Sequence, residues 1–178
     1  MTTEPTITLG RRSLHQLRAT LERSLGVAAA PLLQDAGFAS GEALTEAFSA
    51  WLADRYGVDA AQDLDAAFLG EALSGFFEAN GWGTLELTPL SEGVLAIDAP
   101  MWAEATPGTG TYPSCHVSSG MLADVFSRLG GGQFAAMEVE CRSRGDARCR
   151  FLLAAPETLT LVYERMTHGM GYAQALGS

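Results

Sequence analysis

The sequence predicts a single α+β domain, with a helical N-terminal half packed on an antiparallel sheet of two hairpins. Three observations carry that prediction. Apolar residues recur every three or four positions as far as Ala79, the spacing of one helix face. From Trp82 the spacing shortens to alternate positions, as in a half-buried strand. Glycines fall where the periodic runs stop. A chain of 178 residues is long enough for one domain with a real core and marginal for two.

Leu14, Leu17, Leu21 and Leu25 make one face of a first helix over residues 10–25, stopped by Gly26. A second helical piece runs through Pro31–Ala36 and ends at Gly37, a residue that suits a helix C-terminus. Ser40 can cap a third helix, whose stripe of Leu44, Ala47, Phe48, Trp51 and Leu52 reaches Tyr56. A fourth starts near Asp63, carries Leu64, Ala67, Phe68, Ala72 and Phe76, and ends at Asn80-Gly81. Trp82–Thr88 and Gly93–Asp98 read as a hairpin turning at Pro89–Glu92. Residues 100–112 are rich in Gly, Thr and Pro and read as loop. A helix over Ser118–Leu129 follows, then a second hairpin of Phe134–Cys141 and Ala147–Ala155, turning at Arg144-Gly145-Asp146. Pro156 opens a last helix to Met166, since proline is tolerated in a first turn. This divides the chain into an N-terminal segment 1–34, serving as a dimer or packing element, a main domain 35–167 and a loosely held tail 168–178.

Composition excludes several roles. The net charge of −10 argues against nucleic acid and anionic membrane as partners, because phosphate binding needs clustered positive charge. Every cationic side chain is arginine, which removes lysine Schiff-base chemistry. The N-terminus has no basic start and no apolar run, and no stretch is long enough to span a bilayer, so a cytoplasmic location is expected. There thiols stay reduced, and grouped cysteines more often bind metal than form bridges.

All three cysteines, Cys115, Cys141 and Cys149, lie in the C-terminal half, with Glu138 just before the second. Three thiolates and a carboxylate make a closed four-ligand set of the kind zinc occupies in structural roles. A turn at Gly145-Asp146 sets Cys141 almost directly across from Cys149. Glu138 is the awkward member: on a regular strand, residues three apart point to opposite faces. A bulge near Val139-Glu140 would bring it round. Without one, His116, Glu140 or water is the better fourth ligand. The site would carry about −2 of net charge, which Arg142, Arg144, Arg148 and Arg150 on the same hairpin could offset. The plainer readings are a solvated hairpin edge for the arginines and small buried hydrophobes for the cysteines.

Gly120-Met-Leu after Cys115, then Glu138-x-x-Cys141-x-x-x-Gly145-Asp146-x-x-Cys149-x-Phe151, resembles the 4-vinyl reductase domain family, also described as hydrocarbon-binding proteins. Gly37, Gly41 and Gly81-Trp82-Gly83 are similar too, so the likeness covers roughly residues 35–155. The resemblance implies a fold related to haem nitric-oxide-sensing domains and to a vesicle-tethering subunit with an acyl-chain channel. It implies zinc held by Cys115, Glu138, Cys141 and Cys149, hence a bulge or strand end at Glu138. It also implies an apolar ligand cavity between helices and sheet, and a homodimer. The family's transcription activators carry ATPase and DNA-binding regions that this sequence lacks, so direct transcriptional control by this polypeptide alone is not expected.

An apolar pocket with a few placed polar groups would draw on Phe68, Phe76, Phe77, Trp82, Trp102, Tyr112, Phe126 and Phe134, each of which is individually a better bet as ordinary core. Trp102 and Tyr112 stand in a glycine-rich loop, which suits a lid. His15 reads as exposed, His116 adjoins a ligand and His168 lies in the tail; none pairs with an acid and a nucleophile. No phosphate-binding loop or dinucleotide fingerprint is present, which counts against a self-contained reductase. The leading expectation is therefore a binding module, sensor or carrier, for a small hydrophobic or aromatic molecule, with a tetrapyrrole among the candidates, fastened by structural zinc. The alternatives are a reductase or accessory protein acting on the vinyl group of a chlorophyll precursor, and a protein-interaction subunit with an apolar groove.

Overall fold

The computed structural model of the chain describes residues 7–58, 61 and 64–177. The elements are α1 (Arg11–Leu25), α2 (Ala29–Phe38), α3 (Gly41–Tyr56), α4 (Ala66–Ala79), β1 (Glu86–Ser91), β2 (Val94–Ala99), α5 (His116–Gly130), β3 (Ala135–Glu140), β4 (Cys149–Ala154), α6 (Pro156–Thr167) and α7 (Tyr172–Gly177). The strands form one antiparallel sheet in the order β1-β2-β4-β3, so the two hairpins lie side by side. The α+β architecture is thus as the change of period predicted.

Both faces of the sheet are covered. On one, Ile97, Phe151 and Leu153 join Leu73, Phe76, Phe77 and Trp102 from the helical side. On the other, Val94, Leu152 and Ala154 pack with Leu159 and Val162 of α6 and with Ala175 of α7. The central strands are apolar on both sides for that reason: five of six residues are buried in β4 (Cys149, Phe151–Ala154). The sequence expects a loose tail after His168; instead residues 172–177 form α7, whose Ala175 is fully buried.

Three local readings are corrected. Gly37 does not stop α2 but lies inside it, buried against α5, where its missing side chain permits close approach. The Ser40 hydroxyl donates back to the Gly37 carbonyl at 2.6 Å and does not cap α3. Pro89 continues β1 and the chain turns at Glu92-Gly93; an edge strand tolerates proline because its N–H side has no partner. Asp65 caps α4, its Oδ1 accepting from the Phe68 N–H at 2.8 Å; the predicted start at Asp63 falls outside the described residues.

Candidate metal centre

Glu138, Cys141 and Cys149 come together because β3 is not regular. Glu138 lies opposite Phe151 on β4, and Glu140 lies opposite Arg150, so Val139 is an extra residue in the strand. The bulge resets the alternation, and Glu138 and Cys141 face the same side. Beyond it the chain turns through Arg142–Arg144 and left-handed Gly145 (φ 105°), with the Cys141 N–H held by Asp146 Oδ2 at 2.7 Å. Cys149 then opens β4 opposite Ala99. Cys115 arrives from the loop that enters α5.

One ligand atom from each of Cys115, Glu138, Cys141 and Cys149 lies within 4.8 Å of the others. The Cys115 sulfur is 3.8 Å from that of Cys141 and 3.9 Å from that of Cys149, and all three thiols are fully buried. Glu138 Oε2 accepts the Cys115 N–H at 2.8 Å, whereas its Oε1 is buried without a hydrogen-bond partner. A buried, unpaired carboxylate oxygen beside three thiols is costly unless something positive meets it. Soft sulfur donors with one carboxylate suit zinc, and with four protein ligands no position is left open for water. The residues present fit that ion. His116 and Glu140 are set aside as the fourth ligand by this arrangement: His116 is half-buried in the first turn of α5, and Glu140 faces Arg148 at 3.2 Å and the Tyr172 hydroxyl at 2.5 Å.

The electrostatics show how few charges the bare site accepts. Cys141 is pushed down by the hydrogen bonds that Cys115 and Cys149 donate to it. Cys115 is pushed up by those same bonds, then by burial. For Cys149 the bond with Cys115 lowers the thiol, but the bond with Cys141 and burial outweigh it and the net direction is up. Burial first, and the Cys141 charge second, raise Glu138 to about 8. The hairpin arginines do not supply the offset expected of them. Arg144 pairs with Asp146 at 2.7 Å, Arg148 with Asp98 at 3.0 Å, and Arg150 with Asp98 at 2.6 Å.

The predicted pocket residues divide. Phe76, Phe77, Trp82 and Trp102 form a ring-to-ring chain, with centroids 5.5 Å apart for Phe76–Phe77, 5.6 Å for Phe77–Trp102 and 5.7 Å for Trp82–Trp102. Phe126 is buried on the same core, and Phe134 is packed half-buried at its margin beside Gly130. Phe68 leans on Tyr56 instead, at 5.1 Å, and Tyr112 is 77% exposed. Two surface clefts, one of about 570 Å³ beside Trp51 and Glu71 and one of about 220 Å³ beside Arg150 and Tyr172, use none of these eight residues.

Nor does the loop after β2 hang free as a lid. Trp102 is buried, its Nε1 donating to Ser118 Oγ at 2.7 Å. Thr106 N–H donates to Ser143 Oγ, Gly108 N–H to the Arg142 carbonyl and Gly110 N–H to the Ser143 carbonyl. The loop is laced to the turn that carries Cys141. Sequence reasoning missed two groups here. Glu104 is fully buried and accepts the Val117 and Ser118 N–H groups at 3.1 and 2.7 Å, capping α5 from a distance. Burial pushes its carboxyl up. His15, read as exposed, is half-buried and bonded through Nε2 to the Ala103 carbonyl at 2.8 Å.

Fold and cluster together define a helix-covered antiparallel sheet with a four-ligand site where loop, strand and hairpin turn meet. Residues 96–155 match the family model of the 4-vinyl reductase domain, a span that contains all four clustered residues and bears out the resemblance read from them. The phenol-responsive sensory domain of the transcription activator PoxR, solved with phenol, superposes with a TM-score of 0.60 at 22% identity, covering 86% of this chain and 78% of that one. Subunit 3 of a trafficking protein particle complex from Naegleria fowleri, covalently bound to palmitic acid, gives 0.63 at 12% identity over 81% and 91%. At these identities the two show a shared fold. No curated protein sequence matches significantly. Among the described residues, no helix is long and apolar enough to cross a membrane.

Proposed function

We propose that this chain is a binding module, sensor or carrier, for a small hydrophobic or aromatic molecule, fastened by a structural zinc. The observation that carries the metal half is the unpaired Glu138 Oε1 among three buried thiols. Cys115, Glu138, Cys141 and Cys149 would hold the ion. Bound there, zinc contributes folding energy by tying the loop before α5 to both strands of the second hairpin.

The ligand half rests on the chamber between α4, α5 and the sheet. Its wall of Phe76, Phe77, Trp82, Trp102 and Phe126 is apolar except where Trp102 Nε1 meets Ser118 Oγ, itself bonded to Glu104 Oε2 at 2.5 Å. One polar chain in an apolar wall suits an aromatic molecule with a single hydroxyl, the chemistry that the PoxR domain meets in phenol. Entry requires the rings to part, so the ligand would act by selecting an opened form of this core. Residues 35–167 make up this binding unit. Segment 1–34 is assigned to a homodimer contact, because Leu17, Leu25, Val27 and Leu32 expose apolar surface there.

Native mass spectrometry with elemental analysis tests the proposal. One zinc per chain, plus an organic mass or phenol uptake, is the expected result. A Cys149→Ser protein that is zinc-free, fully folded and as stable as the parent would overturn the metal assignment.

A further inference from the structure

Helix α1 rides on the surface, with Leu17 and Leu25 exposed, and it buries one side chain, Arg18. That guanidinium does not meet a carboxylate in the core. Its Nη1 donates to the Glu104 carbonyl at 2.8 Å and to the Ser114 carbonyl at 3.4 Å, and its Nη2 to Thr106 Oγ1 at 3.4 Å. Only its Nε faces an acid, the half-exposed Glu22 at 3.7 Å. Arg18 therefore closes the base of the loop that runs from Glu104 to Ser114, and the next residue is Cys115. The Glu104 side chain holds the N–H groups of Val117 and Ser118 on the far side of Cys115. Cys115 is clamped between two anchors, and both lead back to the carbonyl groups that Arg18 grips.

From this geometry we infer that Arg18 is a positioning residue for the metal centre and that α1 docks in response to metal. The inference rests on the four-ligand reading of the site. A buried guanidinium stays dry only where fixed acceptors meet its donors. Here those acceptors belong to a loop whose end is fixed by ligation of Cys115. Metal release frees that end and loosens the socket. By reciprocity, whatever Arg18 adds to ligation the metal adds to docking of α1. The charge is right as well: the hairpin arginines are committed to Asp98 and Asp146, and Arg18 is the buried cation among the described residues. Metal loss therefore frees α1 and its apolar face.

The test uses the zinc-loaded protein with Arg18→Met and Arg18→Lys variants. Three readouts are followed: zinc transfer to a competing chelator, the thiolate-to-metal band of the cobalt(II) form, and amide exchange of residues 11–25 with and without zinc. Arg18→Met is expected to weaken zinc binding by roughly 10- to 100-fold, the usual cost of losing a group that orients a ligand. Arg18→Lys should recover part of that loss and of the cobalt band. Wild-type α1 amides should exchange faster after chelation, by a larger factor than those of α6. Unchanged zinc affinity in both variants, or α1 protection indifferent to zinc, overturns the inference. If Arg18→Met does not fold, wild-type exchange decides; if chelation unfolds the whole chain, zinc transfer from Arg18→Lys decides. A wild-type protein that takes up no metal sinks the four-ligand reading itself, and is told apart by that.

Discussion

A side chain on Gly120 would drive its Cβ into the carbonyl oxygen of Gln34 and stand 2.7 Å from the Phe38 nitrogen. Helices α2 and α5 thus touch backbone to backbone, and Gly37 makes the reciprocal approach to Val117. The contact lies within two turns of Cys115, so it also sets where the metal centre begins.

Gly120→Ala should accordingly cost at least about 1–3 kcal/mol, the usual penalty of overpacking. Gly171→Ala, which meets nothing within 4 Å and has no left-handed φ, should change stability by less than about 0.5 kcal/mol. Denaturant unfolding of both variants checks this; equal midpoints would show that the helices can move apart freely.

The bulge at Val139 separates the roles of two neighbouring acids. Glu138→Gln should lower zinc affinity by about 10-fold or more, because it neutralises a ligand. Glu140→Gln should leave affinity unchanged and disturb only the contacts to Arg148 and Tyr172. Chelator competition on the two variants separates them, and the reverse ranking would place the bulge elsewhere.

Zinc uptake should release protons. Cys115 and Cys149 are raised above the ordinary thiol value and Glu138 to about 8, so at neutral pH the metal-free site holds these groups protonated. The metal needs their deprotonated forms. Raised values mean that protons compete with zinc more strongly as pH falls. Affinity should rise across pH 6–8 by about two decades or more per pH step of one. Titration in weakly buffered indicator dye counts the protons; release of fewer than one per zinc would contradict the arrangement.

Glu104 can be probed for charge against hydrogen bonding. Burial raises its carboxyl, so its contribution is fully present at acid pH and is lost as pH rises through the folded value. Glu104→Gln keeps acceptors for the Val117 and Ser118 N–H groups without the buried charge, and should lose less than about 1 kcal/mol. Glu104→Ala leaves those donors unmet and should cost about 1–3 kcal/mol. Thermal unfolding of the pair at pH 5 and pH 8 distinguishes them, and the Gln variant should flatten the pH dependence.

The sequence by itself determined the alternation of helix and strand, the two hairpins and the four residues that could share a metal. Those are properties of spacing: a period of 3.6 or 2, and a turn that returns one cysteine to another. What only the tertiary structure decided is which groups those elements bring together across the chain. Gly37 reads as a helix stop because a glycine at a helix end and one under a crossing helix look alike in sequence. Trp102 reads as a lid because its burial against Phe77, Phe151 and Ser118 is made by residues far along the chain. The grip of Arg18 on carbonyls 86 and 96 positions away leaves no pattern to read, since any residue can offer a main-chain oxygen.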